Sequence, residues 1–251
     1  MPTNRIIDFP AIKVACQNCR LSSLCLPAGL DVPDVEKLAQ LVSHPKPLRR
    51  GNHLFRMGDP LTALYAVHSG AIKTYTISVD GQEKVLGFHL PGELLGFDGL
   101  GKLRHRCSAS ALDTTSVCKL PYKRLQELAA QLPSLSRQLQ RLMSEEIVQD
   151  HAMLLLLSEM SAPERVATFL LNLSDRFGQR GLSTQEFYLS MARQDTANYL
   201  GITLETASRT FRQLHDDGLI AVERRHVCIR DRVRLEVLAK IRTGPSSSQA
   251  T

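Results

Sequence analysis

Between Pro47 and Pro121 apolar and polar positions alternate in short segments parted by glycines: HLFRMGD, LYAVHSGAIKTYTIS, VDGQEKVLGFHLPGELLGF and CSASALDTTSVCKLP. In AIKTYTI, Ile72, Thr74 and Thr76 face one way and Lys73, Tyr75 and Ile77 the other. That period of two is the mark of a strand exposed on one side. Asp80-Gly81 lies between two such runs, where glycine's tolerance of positive φ suits a hairpin turn. Many short strands with glycine turns predict a barrel or sandwich.

Beyond Pro121 the period becomes helical. Residues 132–158 predict one long helix with two stripes. Leu132, Leu135, Leu139 and Leu142 form the first, suited to packing on the chain's own barrel. Ser136, Gln140, Met143, Ile147, Asp150, Leu154 and Leu157 form the second, alternating steps of four and three. That is heptad spacing, as in a helix that pairs with a second copy. One broad buried face gives the same periodicity, so core helix and dimer helix both stand. Ser161 as N-cap, Pro163 in the first turn and Glu164 three residues after the cap start a further amphipathic helix that ends at Gly181 and opens a second domain.

RQDTANYLGITLETASRTFRQLHDDGLI has the plan of a helix-turn-helix. A first helix covers Asp195 to Leu200, Gly201 supplies the turn, and Thr203 or a neighbour caps a second helix reaching about His215. Ala197, Leu200, Ile202, Ala207, Phe211 and Leu214 supply the packing. Glu205, Ser208 and Arg209 share one face near the start of the second helix, the end that enters a major groove. Arg209 can bond bidentately to guanine, Glu205 can accept from cytosine, and Ser208 can do either. Arg193, Arg212, Arg224 and Arg225 are candidate phosphate contacts, and GLIAVERRHVCIRD reads as a β-hairpin wing. Glu-x-x-Ser-Arg by itself is an ordinary solvated face; the turn glycine, the packing and the basic wing give it meaning.

Charge changes the picture only mildly. The 251 residues carry 31 Lys plus Arg against 25 Asp plus Glu, a formal excess of +6 that suits an anionic partner without requiring one. The first residues, MPTNRIIDFPAIKV, lack the apolar stretch and small-residue site of a secretory leader, which predicts a cytoplasmic protein. The longest apolar run, AMLLLL, is far short of the ~20 residues of a membrane span. The closing TGPSSSQAT predicts a disordered tail.

The cysteines matter more. Cys16, Cys19 and Cys25 form C-x2-C-x5-C, while Cys107, Cys118 and Cys228 occur singly in the barrel or wing. In a reducing compartment such a cluster points to metal or redox chemistry rather than disulfides. A zinc ribbon presents a second tight pair, and none occurs here, so an iron-sulfur cluster with a fourth thiolate from the barrel fits better; spacing alone leaves zinc open.

CQNCRLSSLCLP, GFHLPGELLGFD, TTSVCKLPYKRL, RLMSEEI, MLLLLS and NYLGITLETASR together resemble the family of the fumarate and nitrate reduction regulator and the cyclic-AMP receptor protein. The resemblance covers almost the whole chain. It implies an α+β architecture: an N-terminal jelly-roll β-barrel of the cyclic-nucleotide-binding type, a long dimerisation helix and a C-terminal winged helix-turn-helix. The implied division is a cysteine-rich segment over 1–30, the barrel over 31–131, the dimerisation helix over 132–158, the DNA-binding domain over 159–242 and the tail over 243–251. It implies an oxygen-labile 4Fe-4S cluster on Cys16, Cys19, Cys25 and Cys118, whose loss to oxygen abolishes dimerisation and DNA binding. Gln140, Met143, Ile147, Asp150, Leu154 and Leu157 become the homodimer seam, on which Asp150 meets its own mate. The operator implied is an inverted repeat of TTGAT-like half-sites controlling anaerobic respiration genes, with Ser208 and Arg209 as the discriminating pair. RNA polymerase is implied as a partner of loop 77–83.

Within that family the alternatives are a cyclic-nucleotide-responsive regulator and a zinc-stabilised one. Gly92-Glu93-Leu94 resembles the start of the nucleotide cassette, yet Arg106-Cys107-Ser108 puts cysteine where a hydroxyl should follow the arginine. The cassette reads as vacated, with Glu93 kept as a turn residue, Cys107 as a small buried side chain and Cys228 as structural. No P-loop, G-x-S-x-G elbow or H-E-x-x-H helix occurs, and no enzyme activity is expected.

Overall fold

The computed structural model describes residues 16–240; the expected tail over 243–251 lies outside the described residues. A short 3-10 turn at Cys16–Asn18 leads through successive turns to α1 (Val32–Ala39), capped by Asp31, whose carboxylate accepts from the Asp34 amide at 3.0 Å.

Seven strands follow: β1 (His53–Phe55), β2 (Ala63–Ser69), β3 (Ile72–Ile77), β4 (Glu83–His89), β5 (Leu94–Leu95), β6 (Ser108–Ala111) and β7 (Ser116–Pro121). They form two antiparallel sheets, ordered β1-β6-β3-β4 and β5-β2-β7. Phe55, Ile72 and Ala109 of one sheet and Ala63, Tyr65, Val67, Leu95 and Val117 of the other close a common core. This is the expected jelly-roll barrel. In β3, Ile72 and Thr74 are buried, as the alternation predicts, and the β3–β4 hairpin turns at Gly81 with φ +74°.

α2 (Tyr122–Gln131) and α3 (Pro133–Glu159) are separated at Leu132. A residue preceding proline is pushed out of the helical region, and Leu132 is extended at φ −120°, ψ 96°. The first leucine stripe packs on the barrel: Leu132 and Leu135 are buried, with Leu139 and Leu142 against the same cluster. The second stripe is largely uncovered, with Ile147 55% and Leu154 64% exposed. The periodicity therefore marks two faces and not one broad one.

α4 (Ala162–Gln179) starts at a complete capping box, with the Ser161 amide donating to Glu164 at 2.7 Å. β8 (Glu186–Tyr188), α5 (Arg193–Tyr199), α6 (Leu204–Asp216), β9 (Ile220–Glu223), β10 (His226–Ile229) and α7 (Arg232–Leu238) complete a winged helix-turn-helix. Its sheet runs β8-β10-β9. One core joins Val85, Phe88 and Leu90 of the barrel to Val166, Phe169, Leu170 and Leu200 of this unit. Among the described residues no helix is long and apolar enough to cross a membrane.

Candidate cysteine site and nucleic-acid interface

Cys118 lies mid-strand on β7, paired with Ala66 of β2, so their side chains share a sheet face with His68 and Leu120 two residues on. The segment over 16–30 folds across that face. Cys16, Cys19, Cys25 and Cys118 line one pocket, with Leu26, Leu38, Val42, Ala66, His68 and Leu120 around them. No carboxylate is in the lining. Among the described residues no three His, Cys, Asp or Glu side chains stand close enough to hold a single ion.

The thiols perturb one another. Burial, with Cys118, Cys16 and Cys19 nearby, pushes the Cys25 thiol up to about 12. Burial and the same two neighbours push Cys118 up to about 12, and burial with Cys19 raises Cys16. Four thiolates can coexist there only around a positively charged centre. The donor set, four soft sulfurs in an apolar wall, suits an iron-sulfur cluster.

Two histidines that the sequence reading passed over flank the site. His44 Nδ1 is 3.7 Å from Cys118 Sγ, and the His44 and His68 rings meet edge-on at 6.3 Å. Burial, then His68, lowers the His44 pKa. The period of two along β2 placed His68 on Ala66's face, but only with Cys118 already assigned there. Cys107 does not line the pocket; it is buried elsewhere in the barrel, its amide and thiol donating to Asp98 at 3.2 and 3.4 Å. Cys228 lies on β10 of the wing.

The cysteine segment is tied to α3. Gln138, buried on that helix, donates to the Cys25 carbonyl at 3.3 Å, and its Oε1 accepts from Arg141 Nε at 2.9 Å. Arg141 continues to Glu145 at 2.5 Å.

In the DNA-binding unit Thr203 caps α6, accepting from the Thr206 amide at 3.1 Å, and Gly201 turns at φ +63°. Ala207, Phe211 and Leu214 face inward, while Glu205, Ser208 and Arg209 are exposed together on the outer face. Arg212 is exposed on α6 and Arg224 at the wing tip, where φ is +55°. Arg193 and Arg225 are held more closely. The Arg193 guanidinium lies 3.3 Å from the centre of the Phe211 ring, with Nη1 buried and unpaired among the described residues. Arg225 donates to the Ser190 carbonyl at 3.3 Å.

Residues 164–238 match the Crp-like helix-turn-helix domain, and residues 45–132 the cyclic nucleotide-binding domain. The chain is 50% identical over 224 residues to the transcriptional activator protein Anr of Pseudomonas aeruginosa, covering 89% of this chain and 92% of that one. The chain belongs to the CRP/FNR family of transcription regulators. It is also 45% identical to the fumarate and nitrate reduction regulatory protein of Salmonella typhi over 242 residues, covering 95% and 97% of the two chains. The structure of FixK2 from Bradyrhizobium japonicum superposes with a TM-score of 0.73 at 32% identity, over 78% of this chain and 96% of that chain. As a CRP/FNR-family regulator with a helix-turn-helix, the protein is a DNA-binding factor and not an enzyme.

The nucleotide cassette of this CRP/FNR-family barrel is otherwise engaged. Both oxygens of Glu93 are bonded to Arg176 of α4 and one also to Arg180 at its C-cap, and Asp98 takes the amides of Arg106 and Cys107 at 2.7 and 3.2 Å.

Proposed function

We propose that this protein is a cytoplasmic oxygen-responsive regulator of anaerobic metabolism. Cys16, Cys19, Cys25 and Cys118 hold a 4Fe-4S cluster, two chains pair through α3, and the pair sets two copies of α6 on an inverted-repeat operator. The observation that carries this reading is the convergence of four thiols, from two distant stretches of chain, on one apolar pocket. Relatives similar over nearly their whole length are named as an activator and as a fumarate and nitrate reduction regulator, which agrees with it.

A cluster bound there would be held by the thiolates of Cys16, Cys19, Cys25 and Cys118 and would supply an oxygen-labile centre. The chain's own residues do the rest. Cys25 is tethered through its carbonyl to Gln138, so displacement of the cysteine segment pulls on the turn of α3 that carries Arg141 and adjoins Gln140 and Met143. Met143, Ile147, Leu154 and Leu157 offer the apolar packing of a parallel pair, with Gln140 alongside. Asp150 opposes its mate there, and two facing carboxylates repel and lose hydration. The dimer is consequently marginal, and a shift of about 1.4 kcal/mol at the cysteine site changes association tenfold.

On DNA the two recognition helices stand about 34–36 Å apart, one helical turn. Glu205, Ser208 and Arg209 read TTGAT-type half-sites, Arg212 and Arg224 grip phosphates, and Arg193 and Arg225 steady the same rim. Loop 77–83 is the candidate contact for RNA polymerase.

The test is purification without air, measuring iron, sulfide and zinc, followed by admission of oxygen while mass in solution is tracked. About four irons and four sulfides per chain, with a dimer falling to monomer in air, are expected. Stoichiometric zinc, or a colourless dimer indifferent to oxygen, sinks the reading.

A further inference from the structure

The turn over 90–93 stands between the cysteine segment and the DNA-binding unit. On one side a Cβ added to Gly92 would lie 3.1 Å from Leu24 Cβ and 3.7 Å from Leu21 Cβ, so the cysteine segment rests directly on the turn. On the other side α4 approaches. Arg176 donates from Nε and Nη2 to the two oxygens of Glu93 at 3.0 and 2.6 Å, and also to the Phe88 carbonyl at 2.5 Å. Arg180, one turn on and 4% exposed at its side chain, donates to Glu93 at 2.6 Å and to the Pro91 carbonyl at 2.7 Å. Glu93 also accepts from the Leu90 amide at 3.0 Å. Residues four apart on a helix share a face, and bidentate guanidinium–carboxylate pairs fix orientation as well as distance.

The contact continues along the barrel. Lys73 bridges Glu83 at 2.5 Å and Asp195 of α5 at 2.7 Å. Asn198 of α5 accepts from the Val85 amide at 2.7 Å and donates to the Glu83 carbonyl. Phe88, Phe169 and Tyr199 form an aromatic cluster with centroids 5.0 to 6.1 Å apart. The reading face of α6, with Glu205, Ser208 and Arg209, stays exposed in this docked arrangement. At the α3–α4 junction Arg165 donates to the Leu157, Met160 and Leu200 carbonyls at 2.9, 2.8 and 2.9 Å. A rigid body pinned at its hinge still rotates until a second, distant point is fixed.

The geometry points to Glu93 as a positioning residue for DNA recognition: it clamps Arg176 and Arg180 at the far end of α4 from the α3–α4 junction, and with the Lys73 and Asn198 contacts it fixes α6 relative to the barrel. A cassette position that resembles a ribose-binding glutamate serves here as a joint between domains. The clamp uses no cysteine, so it stands or falls separately from the cluster.

The experiment uses the full chain. In the unmodified protein, a zero-length carbodiimide should join Lys73 to Asp195, detected as a linked peptide by mass spectrometry. Glu93→Gln should cut that yield several-fold, speed hydrogen exchange at the Val85 amide, and weaken binding to an inverted-repeat operator by about ten-fold, a usual scale for coupling between sites. Iron content and association state should not change. Absence of the linked peptide in the unmodified protein, or unaltered exchange and operator affinity in Glu93→Gln, would overturn the assignment. Equal losses of iron and affinity would also overturn it, placing Glu93 in service of the cysteine site. Should Glu93→Gln fail to fold, Arg176→Gln is read for the same outcomes.

Discussion

Gln138 donates its carboxamide to the Cys25 carbonyl oxygen at 3.3 Å, joining the cysteine-bearing segment to the middle of the barrel-facing side of α3. The side chain is buried, and a buried acceptor left without its donor costs about 1–3 kcal/mol. Gln138→Leu should keep iron in the anaerobic protein yet raise the concentration at which half of it is dimeric by about ten-fold, corresponding to ~1.4 kcal/mol. Sedimentation without air checks this; an unmoved midpoint removes Gln138 from the coupling.

Asp150 is exposed on the second stripe of α3, one turn from Glu146. Burial is the main cause that pushes Glu146 up to about 7, and the Asp150 and Asp98 carboxylates add to it. Asp150→Ala should leave the protein dimeric in air. A monomeric variant by sedimentation under oxygen would show that the carboxylate does not set the balance.

Arg209 projects from the exposed face of α6 beside Ser208. Arg209→Ala should cost ~1–3 kcal/mol and relax selectivity at one guanine of each half-site. Binding measured against operators substituted at every position distinguishes this from a phosphate contact, which would weaken all sequences alike.

His89 is half-buried at the end of β4, with Thr74 Oγ1 3.1 Å from its Nε2. Burial lowers its pKa from 6.5 to about 4, with Glu93 and Asp98 opposing and Arg176 assisting. Between those values the unfolded chain binds more protons, so stability is fully present above about 6.5 and falls toward pH 4. Its slope approaches about 1.4 kcal/mol per pH unit. Glu93 adds to the same trend at lower pH: burial opposes its ionisation, but Arg176 and Arg180 outweigh it and hold the carboxyl below the usual range. Urea midpoints from pH 8 to 5 should decline in the unmodified protein and flatten in His89→Gln; parallel curves would exclude His89.

What was legible in the chain was local. The alternation in β3, the Gly81 hairpin, the Ser161 capping box and the Thr203-capped helix each depend on a few consecutive residues, and each appears where expected. The triad Cys16, Cys19 and Cys25 announced itself by spacing, but nothing in periodicity selects Cys118 over Cys107; that choice came from family resemblance. Charge made Arg193 a candidate phosphate contact and carried no information on what surrounds it. Its guanidinium stacks on Phe211, because a flat, weakly hydrated cation suits an aromatic face. The Glu93 clamp was illegible because its partners lie on another domain and an arginine on an amphipathic helix looks solvated until the fold brings a carboxylate to it.

β4 is the last strand of its sheet, and Asn198 occupies part of its free edge, meeting the Val85 amide and the Glu83 carbonyl as a neighbouring strand would. An open edge is a template for intermolecular strand pairing. The first helix of the helix-turn-helix, α5, therefore also shields the sheet from self-association. Any state that swings α5 away uncovers this seam, so turbidity and solubility become reporters of domain attachment in this protein.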